Sequence, residues 1–182
     1  APENFEVTSK QIHPYADGHQ ILTLETSLIK DAYNNIISDG TLVEFNCYTE
    51  QGGLIKTSAT TINGIASAQF LHPFTPSKWT ITGTIPGIAT TPKHFVTFIA
   101  ALEDFDVSFS NENANVTIGP ITSYLKQLVP DGTEVTLRIE DENLNLTTTK
   151  NGFAKFNLTT KGIKTINITV LGVSKIFSKE IK

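Results

Sequence analysis

Cysteine is nearly absent from the sequence, and this excludes a framework of internal disulfides. Cys47 is the only cysteine among 182 residues, so no bridge can form within the chain. Cys47 falls at the same alternating positions as Val43 and Phe45, and residues two apart on a strand point to the same face. We therefore predict that Cys47 is a buried free thiol.

Long apolar runs and clusters of positive charge are also absent. No stretch approaches the ~18 apolar residues that a membrane-spanning helix needs. Arg138 is the only arginine, and the net charge of the chain is −4. Such a chain has little attraction for a phosphate backbone. We expect neither a membrane span in this chain nor a nucleic-acid partner.

The sequence contains no methionine and begins with Ala1. Cleavage of a secretory signal peptide would leave such a start, and an excised fragment would begin in the same way. We expect an exported protein, located at the cell surface, in the periplasm or in the medium.

An internal repeat organises the rest of the sequence. Three segments recur in the same order roughly 90 residues later: residues 39–45 as 131–137, residues 61–66 as 149–154, and residues 80–81 as 165–166. Landmarks that keep their order indicate two copies of one structural unit. We predict a first domain over residues 1–101 and a second over residues 102–182.

Each copy is predicted to be all-β. Apolar residues occupy every second position, as at Val43 and Phe45 or at Val135 and Leu137, and a period of two is typical of strands with one buried face. Asn-Gly and Asp-Gly pairs between these runs favour tight hairpin turns. About seven short strands per ~90 residues predict an immunoglobulin-like sandwich. The predicted fold class is two tandem immunoglobulin-like β-sandwich domains.

The first copy carries five motifs in a recognisable order. They are Ala-Asp-Gly at 16–18, Lys-Asp-Ala-Tyr-Asn at 30–34, Gly-Thr-Leu-Val-Glu-Phe at 40–45, Thr-Thr-Ile-Asn-Gly-Ile-Ala at 60–66 and Trp-Thr-Ile-Thr at 79–82. In these motifs the chain resembles the bacterial immunoglobulin-like domains of the invasin and intimin type. The match covers nearly all of residues 10–100.

The second copy departs from that family pattern at two places. Residues 111–115 replace the Ala-Asp-Gly element, and the Lys-Asp turn is missing. The matched positions of both copies are turn and core positions. The resemblance therefore implies an architecture and a setting, namely stalks of adhesins and spacers in secreted or envelope proteins, but no ligand.

No arrangement of residues predicts catalysis. The four histidines are scattered through the first copy, at positions 13, 19, 72 and 94, whereas a zinc site needs three or four converging ligands. The Gly-x-Ser-x-Gly elbow of a serine nucleophile is missing. Glu140 and Glu142 could pair as glycosidase carboxylates, but a solvated charged face suits them better. We expect no enzyme, no cofactor and no small-molecule substrate.

An acidic cluster follows the last predicted strand of the first domain. Glu103, Asp104 and Asp106 stand at the predicted junction, and Ca²⁺ binds six to eight oxygen ligands of this kind. Because no Asp-x-Asp-x-Asp-Gly loop accompanies them, a solvated polar link is the alternative. The link over residues 98–105 is short and predicts a semi-rigid pair of domains.

A loop with two prolines, residues 71–78, is the longest candidate for recognition. It includes His72, Phe74 and Lys78, and the end loops of a sandwich carry binding while the sheets carry stability. Proline stiffens a loop and lowers the entropy lost on binding. The alternative is that Phe74 plugs the bottom of the sandwich.

Several functions fit these features. The chain could be a structural stalk or spacer, or an adhesion module that binds a protein or glycan partner through its loops. It could also be an accessory pair of domains in a larger secreted hydrolase, or a small envelope subunit of a protein assembly. We expect a non-catalytic, exported module of a bacterial surface or envelope protein.

Overall fold

The computed structural model describes residues 4–140 and 144–182. The chain divides into two compact units, Ala1–Ile99 and Ala100–Lys182. Within the described residues the regular structure is all β-strand, and no helix there has the length and hydropathy of a membrane span.

The first unit is a sandwich of two sheets. Its strands are β1 Val7–Lys10, β2 Tyr15–Ala16, β3 Ile21–Thr26, β4 Leu42–Thr49, β5 Leu54–Thr60, β6 Ser67–Leu71, β7 Ser77–Ile85, β8 Ala89–Thr90 and β9 His94–Ala100. One sheet has the order β1-β3-β6, and the other has the order β2-β9-β7-β4-β5 with β8 paired to β7. The antiparallel pair β4 and β7 forms the middle of the larger sheet, where Cys47 lies opposite Ile81.

Alternating apolar residues build the core of this first unit. Trp79 and Ile81 point inward from β7, and Cys47 is fully buried in β4, as predicted. The Trp79 ring lies 4.8 Å from the Phe98 ring and 6.4 Å from the Phe70 ring, edge-on to both. Full burial of a side chain such as Phe98 contributes roughly 1.5–3 kcal/mol. Of these two ring contacts, the one between Phe70 and Trp79 joins the smaller sheet to the larger one.

The second unit repeats this architecture with fewer strands. They are β10 Val107–Ser110, β11 Asn115–Ile118, β12 Glu134–Ile139, β13 Asn145–Thr148, β14 Ala154–Asn157, β15 Gly162–Val170 and β16 Val173–Ile181. The sheets have the orders β10-β11-β14 and β13-β12-β15-β16. The buried faces of the second sheet carry Val135, Leu137, Ile139, Ile166, Ile168 and Val170.

A buried threonine fastens one corner of the first unit. The Oγ1 of Thr61 accepts a hydrogen bond from the backbone N–H of Thr41 at 3.1 Å and donates one to the carbonyl of Ser38 at 2.8 Å. Beside it the Asp39 carboxylate accepts from the backbone N–H of Asn63 at 2.6 Å. These contacts hold the start of β4 against the hairpin that follows β5.

The second unit contains the same corner, bond for bond. The Oγ1 of Thr149 accepts from the N–H of Thr133 at 3.1 Å and donates to the carbonyl of Pro130 at 2.8 Å. The Asp131 carboxylate accepts from the N–H of Asn151 at 2.6 Å. We call this arrangement, at residues 38–41 with 61–63 and at residues 130–133 with 149–151, the threonine corner.

The turn before each threonine corner is also shared, although its sequence is not. In the first unit the Asp31 carboxylate accepts from the N–H of Tyr33 at 2.9 Å, and Asn34 has φ of 67°. In the second unit the Ser123 hydroxyl accepts from the N–H two residues on at 3.2 Å, and Lys126 has φ of 60°. The Lys-Asp sequence is missing there, but the turn is present because a serine oxygen replaces the carboxylate oxygen.

The units differ between their first strand and the next. The first unit uses residues 11–20, including β2, which pairs with β9. The second unit joins β10 to β11 by a short turn in which Asn111, Glu112 and Asn113 have φ of 49°, 54° and 69°. Asparagine adopts such values more readily than most residues. Residues 111–115 thus replace the Ala-Asp-Gly element with a shorter connection.

The threonine corner yields a stability prediction. Thr149→Val keeps the shape of the side chain but removes two buried hydrogen bonds, the one from the N–H of Thr133 and the one to the carbonyl of Pro130. The N–H of Thr133 then keeps only the carbonyl of Pro130 as acceptor, at 3.2 Å, and we expect a loss of about 1–3 kcal/mol. The neighbouring Thr148 is exposed, so Thr148→Val should change the free energy of unfolding by less than about 0.5 kcal/mol. Urea unfolding followed by circular dichroism measures the two variants side by side.

The single tryptophan provides the control for that experiment. Trp79 lies in the first unit, so its fluorescence transition should stay in place in both variants. Equal destabilisation by Thr148→Val and Thr149→Val would contradict the role of the buried hydroxyl.

Candidate functional site

The structure separates the three residues of the predicted binding loop. His72 is buried, at 2% exposure, and its Nδ1 donates a hydrogen bond to the carbonyl of Tyr15 at 2.7 Å. The imidazole ring packs edge-on against Phe98, with 4.8 Å between ring centroids. His72 is therefore a core residue, and its side chain is not presented to a partner on the surface of the loop.

Phe74 lies in the loop and Lys78 lies on a strand. The Phe74 ring is 52% exposed and rests on Gly18, where an added Cβ would lie 2.2 Å from the ring. Only glycine fits that close approach, and its φ of +71° is also one that glycine adopts without strain. The Nζ of Lys78 stands 4.8 Å above the ring of Phe95, within the β7–β9 pair. Phe74 thus contacts Gly18 and the edge-on ring of His19, and about half of its surface stays exposed to solvent.

The acidic residues after the first unit make an ion pair. The Nζ of Lys175 lies 2.8 Å from the Asp104 carboxylate and donates to the carbonyl of Phe105 at 2.7 Å. The hydrogen bond from Lys175, followed by one from the N–H of Phe105, lowers the pKa of Asp104. Glu103 and Asp106 are exposed. One carboxylate of the predicted calcium cluster, that of Asp104, is therefore already paired with the ammonium group of Lys175.

The described residues contain no group of three or more His, Cys, Asp or Glu side chains placed to hold a metal ion. The calcium hypothesis at Glu103, Asp104 and Asp106 stays a prediction. Glu142, one of the two carboxylates considered for glycoside chemistry, lies outside the described residues, while Glu140 is placed near Lys164 at 3.4 Å.

One serine–histidine contact exists in the first unit. Ser9 on β1 and the Nε2 of His94 on β9 lie 2.8 Å apart, a pairing that the sequence did not predict. A hydrolytic site needs further groups, because a nucleophile and base act with donors that stabilise an oxyanion. In the described residues the contact joins strands of the two sheets.

A groove in the second unit was not predicted from the sequence. Its volume is about 780 Å³, and it is lined by Thr117, Thr147, Thr148, Lys150, Asn151, Phe153, Ala154 and Lys155. The groove lies beside the Asn-Gly hairpin, where the sequence marked only a turn. Comparison of the two repeats at this hairpin would have shown that the second copy alone carries lysines there.

Comparison with solved structures agrees with the predicted architecture. The adhesin InvE of Yersinia pseudotuberculosis is 13% identical with a TM-score of 0.50, over 98% of this chain and 60% of that one. An invasin described as a bacterial integrin-binding protein is 16% identical with a TM-score of 0.47, over 96% and 39%. A segment of two fibronectin type III domains from chicken tenascin is 13% identical with a TM-score of 0.37, over 97% and 100%.

The likeness to InvE confirms the predicted fold of two tandem immunoglobulin-like sandwiches. The chain spans 60% of the InvE chain and 39% of the invasin chain. No family model and no curated protein matches the sequence.

The burial of Cys47 predicts its reactivity. Desolvation raises the pKa of the Cys47 thiol to about 12, so at pH 8 the reactive thiolate is on the order of one part in 10,000. Ellman's reagent should leave the native protein unmodified and react at once in guanidinium chloride. An exposed thiol introduced by Thr60→Cys in a Cys47→Ala background is the control. Native Cys47 reacting as fast as that thiol would refute the prediction.

The Asp104–Lys175 pair predicts a pH dependence. A carboxyl whose pKa is lowered by folding adds stability above its unfolded pKa, and this is lost as the pH falls through the folded pKa. Asp104→Asn should therefore lower the urea midpoint of the second unit at about pH 7, and the difference should shrink below the ordinary pKa of 3.8. Asp106→Asn is the exposed control, and a deficit that persists at about pH 2.5 would contradict the ionic origin.

Proposed function

We propose that the chain is a non-catalytic spacer within an exported bacterial surface or envelope protein. The observation that carries this proposal is what the two copies share. Their common residues form the threonine corner and the hairpin beside it, as with Thr61 and Thr149 or Asp39 and Asp131. Repeats that share buried structural residues but differ in their surface residues are typical of proteins that extend by adding similar modules.

The setting is proposed from the fold. InvE is an adhesin, and we extend a surface location from it to this chain. The acidic net charge of −4 and the absence of a disulfide requirement are compatible with that location. The spacer assignment does not require any residue of the chain to touch a ligand.

A second candidate function is adhesion through the loop around Phe74. The supporting observation is an aromatic ring at 52% exposure between Pro73 and Pro76. Exposed aromatic rings on stiff loops contribute strongly to protein interfaces. In this function a protein or glycan partner would contact Phe74, whereas in the spacer function the ring only covers Gly18.

Surface labelling of intact source cells tests the proposed location. Antibody raised against this chain should label unbroken cells, and external protease should remove the label. A cytoplasmic protein followed in the same samples controls for lysis. Label that appears only after the cells are broken would exclude a role at the outer surface.

Replacement in the parent gene then separates the two functions. Residues 1–182 are exchanged for two unrelated sandwich domains of similar length, and a second strain carries only Phe74→Ala. A spacer predicts that attachment of the cells to their target surface survives both changes. Adhesion through the loop predicts that both changes abolish it, by about tenfold or more in bound cells.

A further inference from the structure

The groove beside the second Asn-Gly hairpin is built on a backbone that the first unit also has. Lys150 and Phe153 exchange backbone hydrogen bonds of 2.8 and 3.0 Å, and Ile62 and Ile65 exchange bonds of 2.9 and 3.1 Å. Asn63 and Asn151 both have φ of 51°. The hairpin frame is therefore the same in both units, and its side chains can be compared position by position.

At these matched positions the second unit carries positive charge that the first unit lacks. Lys150 stands where the first unit has Ile62, and Lys155 stands where it has Ser67. The strand partner changes as well, because Ser67 lies opposite Glu25 whereas Lys155 lies opposite Thr117. The fold requires none of these lysines, since the first unit forms the same hairpin without them.

The two lysines also lack the partners that a structural ion pair would supply. In the first unit Glu25 is paired with Lys10. In the described part of the second unit, the ion pairs involve Lys164 and Lys175, and none of them involves Lys150 or Lys155. The nearby Asp131 carboxylate accepts a hydrogen bond from the backbone N–H of Asn151. Two unpaired ammonium groups beside one groove favour an anionic occupant.

The other residues that line the groove indicate which kind of anionic ligand it could bind. The hydroxyls of Thr117, Thr147 and Thr148 and the amide of Asn151 can donate to and accept from sugar hydroxyls. Phe153 is 41% exposed, and a half-exposed ring offers an apolar surface to the C–H face of a sugar. A volume of about 780 Å³ is in the range of pockets for small ligands, so a short oligosaccharide fits.

We propose that this groove binds an acidic saccharide, with Lys150 and Lys155 contacting its carboxylate or sulfate groups and Phe153 packing on a sugar ring. The proposal goes beyond the spacer function and does not depend on it. A spacer with such a groove would also attach to an anionic polysaccharide coat. The loop around Phe74, in the first unit, takes no part in it.

Titration calorimetry on the full chain tests the proposal. The probes are a sulfated heparin tetrasaccharide, a carboxylated tetragalacturonate, neutral maltotetraose and polyglutamate. We expect binding of one or both acidic tetrasaccharides, weakened at higher salt because the contacts are ionic. The two acidic probes distinguish sulfate from carboxylate recognition, and maltotetraose should bind at least about tenfold more weakly.

Variants that restore the chemistry of the first unit locate the site. Lys150→Ile with Lys155→Ser should weaken binding at least about tenfold, and both residues are already accommodated by the equivalent hairpin. Lys161→Ser with Lys182→Ser removes the same charge from exposed positions elsewhere in the second unit and should leave binding unchanged. Phe153→Ile should weaken binding several-fold without altering its dependence on salt. Circular dichroism melts confirm that each variant is folded.

Three results would overturn the proposal. They are no binding of either acidic tetrasaccharide by the unaltered chain, equal weakening by the two double-lysine variants, and binding of polyglutamate as tight as that of the saccharides. The last result would assign the groove to an acidic peptide. Surface labelling of source cells is a separate measurement. A failure to bind acidic saccharides would not affect the proposed location, and a failure to label the cell surface would not affect the proposed binding in this groove.

Discussion

The hydroxyl of one buried threonine organises the corner on which each unit depends. This threonine is Thr61 in the first unit and Thr149 in the second. Its hydroxyl accepts a hydrogen bond from the backbone N–H just before a central strand and donates one to the carbonyl of the residue three positions before that N–H. Both side chains are almost fully buried, where an unmatched backbone group is costly. The carboxylate of the adjoining aspartate accepts a hydrogen bond from the backbone N–H of the asparagine in the hairpin. Strand, turn and hairpin are thereby held in one register.

This hydrogen-bonded corner explains which segments of sequence the two copies share. The Asp-Gly-Thr segment and the Thr-x-Asn-Gly hairpin are the two halves of the corner, and they are the most visible part of the repeat. The turn before the corner needs an acceptor for one backbone N–H, which Asp31 and Ser123 both provide. Different sequences therefore give the same turn, provided that an oxygen stands at that position.

Freedom to vary outside the corner is what gives each unit its own surface. The hairpin tip carries isoleucines in the first unit and Lys150 with Phe153 in the second, on the same backbone. The connection after the first strand is long in one unit and a four-residue turn, residues 111–114, in the other. A frame fixed by buried hydrogen bonds and a surface free to change are the properties expected of a module that serves as a spacer and can acquire binding sites.

Several features were accessible from the sequence alone. Alternation of apolar residues located the strands, Asn-Gly and Asp-Gly pairs located the turns, and the repeat gave the two-copy organisation with its sandwich fold. The burial of Cys47 followed from its place beside Val43 and Phe45. These features depend on near neighbours in the chain, because the period of a strand and the φ of a turn are local properties.

The sites depended on contacts between residues far apart in sequence. His72 follows β6 in a loop-like segment, yet the carbonyl of Tyr15 and the ring of Phe98 draw it into the core. Asp104 looked like part of a free acidic cluster until Lys175, which lies 71 residues later in the sequence, was placed beside it at 2.8 Å. The sequence by itself determined the strands, the turns and the repeat. Only the tertiary structure decided which polar groups are paired and which remain open, since pairing depends on distances that chain spacing does not encode.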